Sequence, residues 1–246
     1  MRDLLVQLRL GTYISKMNNR RPSSREPMLN ISEPAPLVLA VILVLCHAGF
    51  LIAPDALQQT IRMATALVAQ DGQLFFDGRP LGNYAPLLTH TLAHADWTHV
   101  LMNAAFIFIF GVLTIKATKN AHNPILGRIK RGPFVFLLIF LFGALLGGLA
   151  QWALWILING SAYSIGASTG GAALFACAGW ALGGKERMLG FIAIMMAIDA
   201  FIIFSGGSSS GLHNPAWAGH FGGFMAGAIL APKLLIPGGA SSSRMF

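Results

Sequence analysis

Six stretches of this chain stay apolar for about 20 residues each, near 36–53, 97–115, 133–158, 164–183, 188–204 and 215–235, and a helix of about that length crosses the hydrocarbon of a bilayer. Backbone in lipid finds no water to bond, so each stretch must satisfy its own amides as a helix. The expected fold is an all-α membrane protein: a bundle of six transmembrane helices with an extracytoplasmic loop between helices one and two. Composition agrees, since only 11% of residues are charged where a soluble domain has roughly 25%. No room is left for a second large domain. The expected organisation is a basic cytoplasmic tail over 1–30, the six-span domain over 31–238 and a cytoplasmic tail over 239–246.

Orientation follows from the lysines and arginines, which resist crossing during insertion. Six precede the first span, Lys116, Lys119, Arg128, Lys130 and Arg131 follow the second, Lys185 and Arg187 join the fourth to the fifth, and Lys233 and Arg244 follow the sixth. The opposite loops carry only Arg62 and Arg79, both in the 54–96 connection. Both termini are therefore expected on the cytoplasmic side. The net charge of +8 then reflects topology and anionic lipid rather than nucleic acid. The leader around Leu4, Leu5, Leu8 and Leu10 lacks the unbroken apolar core of a secretory signal, and reads as a solvated tail, with a transit peptide or an interfacial helix as alternatives. With no organelle signal recognised, the expected location is a bacterial inner membrane, multi-pass, with the functional face toward the periplasm.

Ser168 and His220 interrupt two of these apolar stretches, in Gly166-Ala167-Ser168-Thr169-Gly170-Gly171 and Gly219-His220-Phe221-Gly222-Gly223. Polar groups at membrane depth are costly and mark sites. If span four runs inward from about Ser164 and span six from about Pro215, both residues lie four or five positions below the outer surface, roughly 6 to 8 Å at the helical rise. A hydroxyl and an imidazole at one depth can meet as nucleophile and base. Gly219, Gly223 and Gly227 recur every four residues, and Gly171, Ala172, Ala176 and Gly179 share the Ser168 face, so the two helices can approach closely. In span two, His99 and Asn103 are one helical turn apart, near the outer surface, and are candidates to hold a developing oxyanion.

His94, His99 and Asn103, then Gly-x-Ser at 166–168, then His-x-Gly-Gly at 220–223, together resemble the rhomboid family of intramembrane serine proteases over about residues 90–227. The resemblance implies a serine endopeptidase in which Ser168 is the nucleophile, His220 the general base, and His99, Asn103 and the Ser168 backbone N–H the oxyanion hole. It implies a Ser-His dyad with no carboxylate completing a triad. Substrates would be transmembrane proteins, cut in or near their membrane helices after lateral access between spans. Movement of span five would be the gate and the polar Ser205–Gly211 stretch a cap. Neutral imidazole is the proton-accepting form, so cleavage is expected to fall on acidification.

Three positions depart from the family pattern. Thr169 follows the nucleophile where glycine is usual, placing a β-branched side chain beside the oxyanion site. Ala172 stands where many members have an aromatic on the catalytic imidazole, and Phe175 is the candidate substitute. The Trp-Arg pair common in the loop before span two is replaced by Ala85-Pro86.

The remaining polar residues have plainer readings. His90 and His94 have a metal-ligand spacing but lack the glutamate of zinc peptidases, so no metal and no cofactor is expected, and His94 is read as bonding within its own loop. Asp199, in the middle of span five, reads as a buried, protonated hydrogen-bonding group, with part of a water path as the alternative. His47, His122 and His213 read as solvated or interfacial, Cys46 and Cys177 as free small hydrophobes, and Trp97 and Trp217 as interface anchors. Two other functions share some of these features: an inactive rhomboid-like protein that binds membrane clients, and a small transporter, which would be expected to show internal repeats that this chain lacks. Nothing in the sequence reads on oligomeric state or substrate identity.

Overall fold

The computed structural model describes residues 33–118, 131–205 and 216–238. The two tails, His122, His213 and residues 206–211 of the expected cap lie outside them. The elements in chain order are α1 (Ala35–Ile52), α2 (Asp55–Thr65), β1 (Leu67–Ala69), α3 (Pro86–Thr89) running into a 3-10 turn (His90–Leu92), α4 (Trp97–Lys116), α5 (Arg131–Leu157), β2 (Ala162–Ser164), α6 (Ser168–Phe204) and α7 (Trp217–Leu234).

Four of these helices, α1, α4, α5 and α6, are long and apolar enough to cross a bilayer. The 37-residue α6 is broken at Gly183 and Gly184. Gly184 has φ +72°, a conformation that costs a residue with a Cβ and suits glycine, and Lys185, Glu186 and Arg187 follow the break. Apolar stretches four and five are thus two arms of one bent element. A difference from the sequence expectation lies at its start: α6 begins at Ser168 itself, because residues 162–164 are extended and pair antiparallel with β1, Val68 opposite Tyr163. Ser168 is therefore in the first turn of its helix.

The core is a spine of Leu43, Val100, Ile107, Phe136, Ile139, Leu174 and Phe224, drawn from α1, α4, α5, α6 and α7 and all buried. Leu45, Leu141, Ile194 and Phe201 point outward instead, as lipid-facing side chains do. A smaller cluster of Leu67, Leu74, Leu87, Trp152 and Trp155 packs the connection between α1 and α4 onto the end of α5. In that connection, α2 is followed by a turn at Asp77-Gly78. The Arg79 guanidinium donates to the carbonyls of Met63 and Ala66, the latter at 2.6 Å, tying the loop to the end of α2.

Close approach of α6 and α7 depends on missing side chains. A Cβ on Gly223 would run into the Thr169 carbonyl, and one on Gly227 into the Ala173 carbonyl. Gly223 and Gly227 of α7 thus pack directly on α6, against Ala172 and Ala176 of the small-residue stripe there.

Candidate active site

The Ser168 hydroxyl lies 2.9 Å from Nε2 of His220, within proton-transfer distance. Ser168 comes from the first turn of α6 and His220 from the first turn of α7. The two meet where two helix starts come together. A helix N-terminus also presents free N–H groups and the positive end of its dipole, so the backbone amides at Ser168 favour negative charge beside the hydroxyl.

His99 and Asn103 face the same spot from α4. A Cβ on Gly166 would lie 2.7 Å from the His99 imidazole and 3.5 Å from Nδ2 of Asn103, so both donors pack against the backbone two residues before the nucleophile. Gly166 has φ +119°, and only glycine satisfies both the dihedral and the contact. The Asn103 amide nitrogen is buried without a hydrogen-bond partner among the described residues. A buried donor left unsatisfied is unusual in a native structure, and here it suits an acceptor that arrives with the reaction. The start of α4 is fixed by Asp96, whose carboxylate accepts from the His99 backbone N–H at 2.8 Å.

Three expectations are corrected by the geometry. A carboxylate does meet the imidazole: Oδ2 of Asp199 lies 2.8 Å from Nδ1 of His220, on the ring edge opposite Ser168. Asp199 is satisfied as a buried group, but by the imidazole expected to act in a dyad. Next, Thr169 does not project beside the oxyanion donors. Its hydroxyl lies 2.9 Å from Nε2 of His90, and its methyl fills the gap between Gly147 and Gly219. Phe175, finally, takes no part in holding the imidazole. Its ring packs with Phe110, Phe191 and Phe224, and among the described residues no ring contact joins it to His220.

The histidines before α4 act as straps. His90, fully buried, holds the Pro86 carbonyl through Nδ1 at 2.7 Å and Thr169 through Nε2, while its own carbonyl accepts from the Gly166 N–H at 2.8 Å. His94 reaches out of its loop: its Nε2 accepts from the Ala167 N–H at 3.4 Å. The segment around Ser168 is thus bonded at Gly166, Ala167 and Thr169 to residues 90–94. Burial pushes His90 down to about 4, and burial with the neighbouring His99 and His47 pushes His94 down to about 3. Both are neutral at physiological pH. His47 is likewise not solvated but 2% exposed, edge-on to Trp97 at 4.9 Å. Cys177 is buried and Cys46 exposed.

Gln151, which carried no motif, accepts from the Gly219 N–H at 3.1 Å and so steadies the backbone next to His220. Ser168, His220, Asp199, His99, Asn103 and Gln151 all line one cavity of about 1110 Å³. Its floor holds Ser168, His220, Asp199, His99 and Asn103, and its apolar walls include Met102 and Phe106 of α4 and Met195, Ile198 and Ile202 of the second arm of α6. Strand β2 forms part of its rim through Tyr163 and Ser164. Such a site can activate a hydroxyl, shelter an apolar chain beside it and hold an oxyanion.

A family model, the Rhomboid domain, matches residues 81–237, more than half of the 246-residue chain. The match takes in every residue on the floor of the cavity. No curated protein sequence matches the chain significantly.

Proposed function

The chain belongs to the rhomboid family, and from that premise we propose that this integral membrane protein is an intramembrane serine endopeptidase that hydrolyses peptide bonds in or near the transmembrane helices of other proteins. The observation that carries the reading is the 2.9 Å contact between the Ser168 hydroxyl and Nε2 of His220 on the floor of a cavity with apolar walls. Free serine hydroxyls do not attack amides at neutral pH; one already within hydrogen-bond reach of an imidazole nitrogen has its proton acceptor in place.

In the first step the Ser168 oxygen bonds to the substrate carbonyl carbon while its proton passes to Nε2 of His220. The carbonyl oxygen becomes an oxyanion, which His99, the Asn103 amide and the Ser168 backbone N–H stabilise. Collapse breaks the C–N bond, and His220 returns the proton to the leaving amine. Water then repeats the sequence against the acyl-enzyme, losing its proton to His220 and releasing the carboxylate product and the serine.

In this reading the six spans are α1, α4, α5, the two arms of α6 and α7, of which α1, α4, α5 and α6 are long and apolar enough to cross a bilayer. The lysines and arginines gathered between α4 and α5, at the α6 break and from the end of α7 onward support a reading with both termini in the cytoplasm and the cavity toward the extracytoplasmic side. A bacterial inner membrane fits that reading. A substrate helix would enter between α4 and the second arm of α6, whose side chains line the same cavity.

The test is cleavage of a reporter carrying a membrane helix, in proteoliposomes, by the wild-type chain and by Ser168→Ala and His220→Ala. Product from the wild type alone is the expected result. Binding of the reporter without product from any of the three would replace the protease with a client-binding protein.

A further inference from the structure

Asp199 is a carboxylate 3% exposed in the second arm of α6, where a charge is held at considerable cost unless it is paired. Its oxygen lies 2.8 Å from Nδ1 of His220, and the other nitrogen of the same ring lies 2.9 Å from Ser168. The three side chains come from three different places, the start of α6, its far arm beyond the Gly183-Gly184 break and the start of α7, so no local constraint of one helix forces their alignment. Resting on the protease reading above, we propose that Asp199 is the positioning residue of the catalytic base: its carboxylate accepts the Nδ1 proton, fixes the tautomer in which Nε2 is free to take the Ser168 proton, and holds the ring in line.

The surroundings explain why a hydrogen bond is needed here. Ala172, one turn after Ser168, is too small to press on the imidazole, and Phe175 is engaged with Phe110, Phe191 and Phe224. A ring without a stacking partner must be held by its nitrogens. A carboxylate also interacts more favourably with imidazolium than with neutral imidazole, and imidazolium is what forms when serine gives up its proton. The other ionisable groups around the cavity are Asp96, the residue before α4, His99 of α4 and Tyr163 of β2. Gln151 on α5 is neutral and is used by the Gly219 amide.

The tautomer is the discriminating quantity, because a merely satisfied buried acid would not set it. A protonated Asp199 donating to Nδ1 would place the imidazole proton on Nε2, and His220 could not then act as base. The experiment uses the full chain in detergent micelles or proteoliposomes and compares wild type, Asp199→Asn and Asp199→Ala. Three readouts are taken: kcat and KM on the cleavable helix, the thermal unfolding midpoint, and ¹⁵N shifts of labelled histidines, with His220 identified by its loss in His220→Gln.

The expected result is a fall in kcat of about 10²-fold or more in Asp199→Asn, with KM little changed and a folded protein. The spectrum should show His220 protonated at Nδ1 in the wild type and not held in that form in either variant. Wild-type kcat in both variants would overturn the proposal. So would a loss of activity that only tracks loss of folded protein, or a wild-type ring protonated at Nε2. If the wild type itself cleaves nothing, the protease reading fails, and the spectra alone decide whether Asp199 sets the tautomer.

Discussion

The Thr169 hydroxyl lies 2.9 Å from Nε2 of His90, joining the residue after the candidate nucleophile to the loop that precedes α4. Because Nδ1 of His90 faces the Pro86 carbonyl, a pure acceptor, that nitrogen carries the proton and Nε2 accepts from threonine. Thr169 thus belongs to the scaffold that places Ser168. Thr169→Val keeps the shape and strands a buried acceptor, which costs about 1 to 3 kcal/mol. A lower unfolding midpoint in detergent is expected for Thr169→Val, with Thr169→Ser closer to wild type because it keeps the bond. Equal midpoints for wild type and Thr169→Val would remove the strap.

Acid should loosen the same scaffold. His90 is pushed down to about 4 and His94 to about 3, whereas an unfolded histidine titrates near 6.5. The unfolded chain therefore binds more protons than the folded one between those values, and stability rises with pH there. The full contribution is present above about 6.5 and is lost as pH falls toward the folded values. Unfolding midpoints of Ser168→Ala, followed from pH 7.5 to 4.5, should decline, and the decline should be shallower when His90→Gln is added. A profile unaffected by His90→Gln would mean that this histidine does not sense acid.

Gly166→Ala tests the oxyanion donors without altering them. The added methyl would meet the His99 ring at 2.7 Å and would force a strained φ. Displacing one such donor typically costs a factor of about 10² to 10³ in kcat, so a loss of that order is expected, with a similar loss for Asn103→Ala. Turnover of the cleavable helix measures it, alongside the unfolding midpoint as a check on the fold. Wild-type turnover in Asn103→Ala would take that amide out of the oxyanion hole.

The contact between Ser168 and His220 was legible because a hydroxyl and an imidazole in apolar stretches have few other reasons to be there. His99 and Asn103 were legible from their helical spacing. Asp199 was visible as a buried acid, yet its partner was not. It is 21 residues from His220, on the far arm of a helix whose bend decides what it faces, and periodicity carries no information on such a contact. The same holds for His90: spacing relates it to His94, while the bond that matters runs 79 residues along the chain to Thr169. The start of α6 was placed too early since residues 162–164 are as apolar as a helix end, and only pairing with β1 makes them extended.

Two glycine substitutions of opposite effect would test how the pair is held together. At Gly223 a methyl has nowhere to go, since the Thr169 backbone occupies the place of a Cβ; Gly223→Ala must push α7 away from α6 and carry His220 with it. At Gly190, within the second arm of α6, a Cβ meets nothing within 4 Å, and alanine there removes the entropic cost of a mid-helix glycine, about 0.5 to 1 kcal/mol. Gly190→Ala should therefore raise the unfolding midpoint slightly and leave turnover intact. Gly223→Ala should lower the midpoint and reduce turnover at least tenfold, the order expected when reacting groups shift by an ångström or so. Turnover maintained in Gly223→Ala would show that the α6 and α7 backbones can separate without parting Ser168 from His220, and close helix packing would then not be what holds the site.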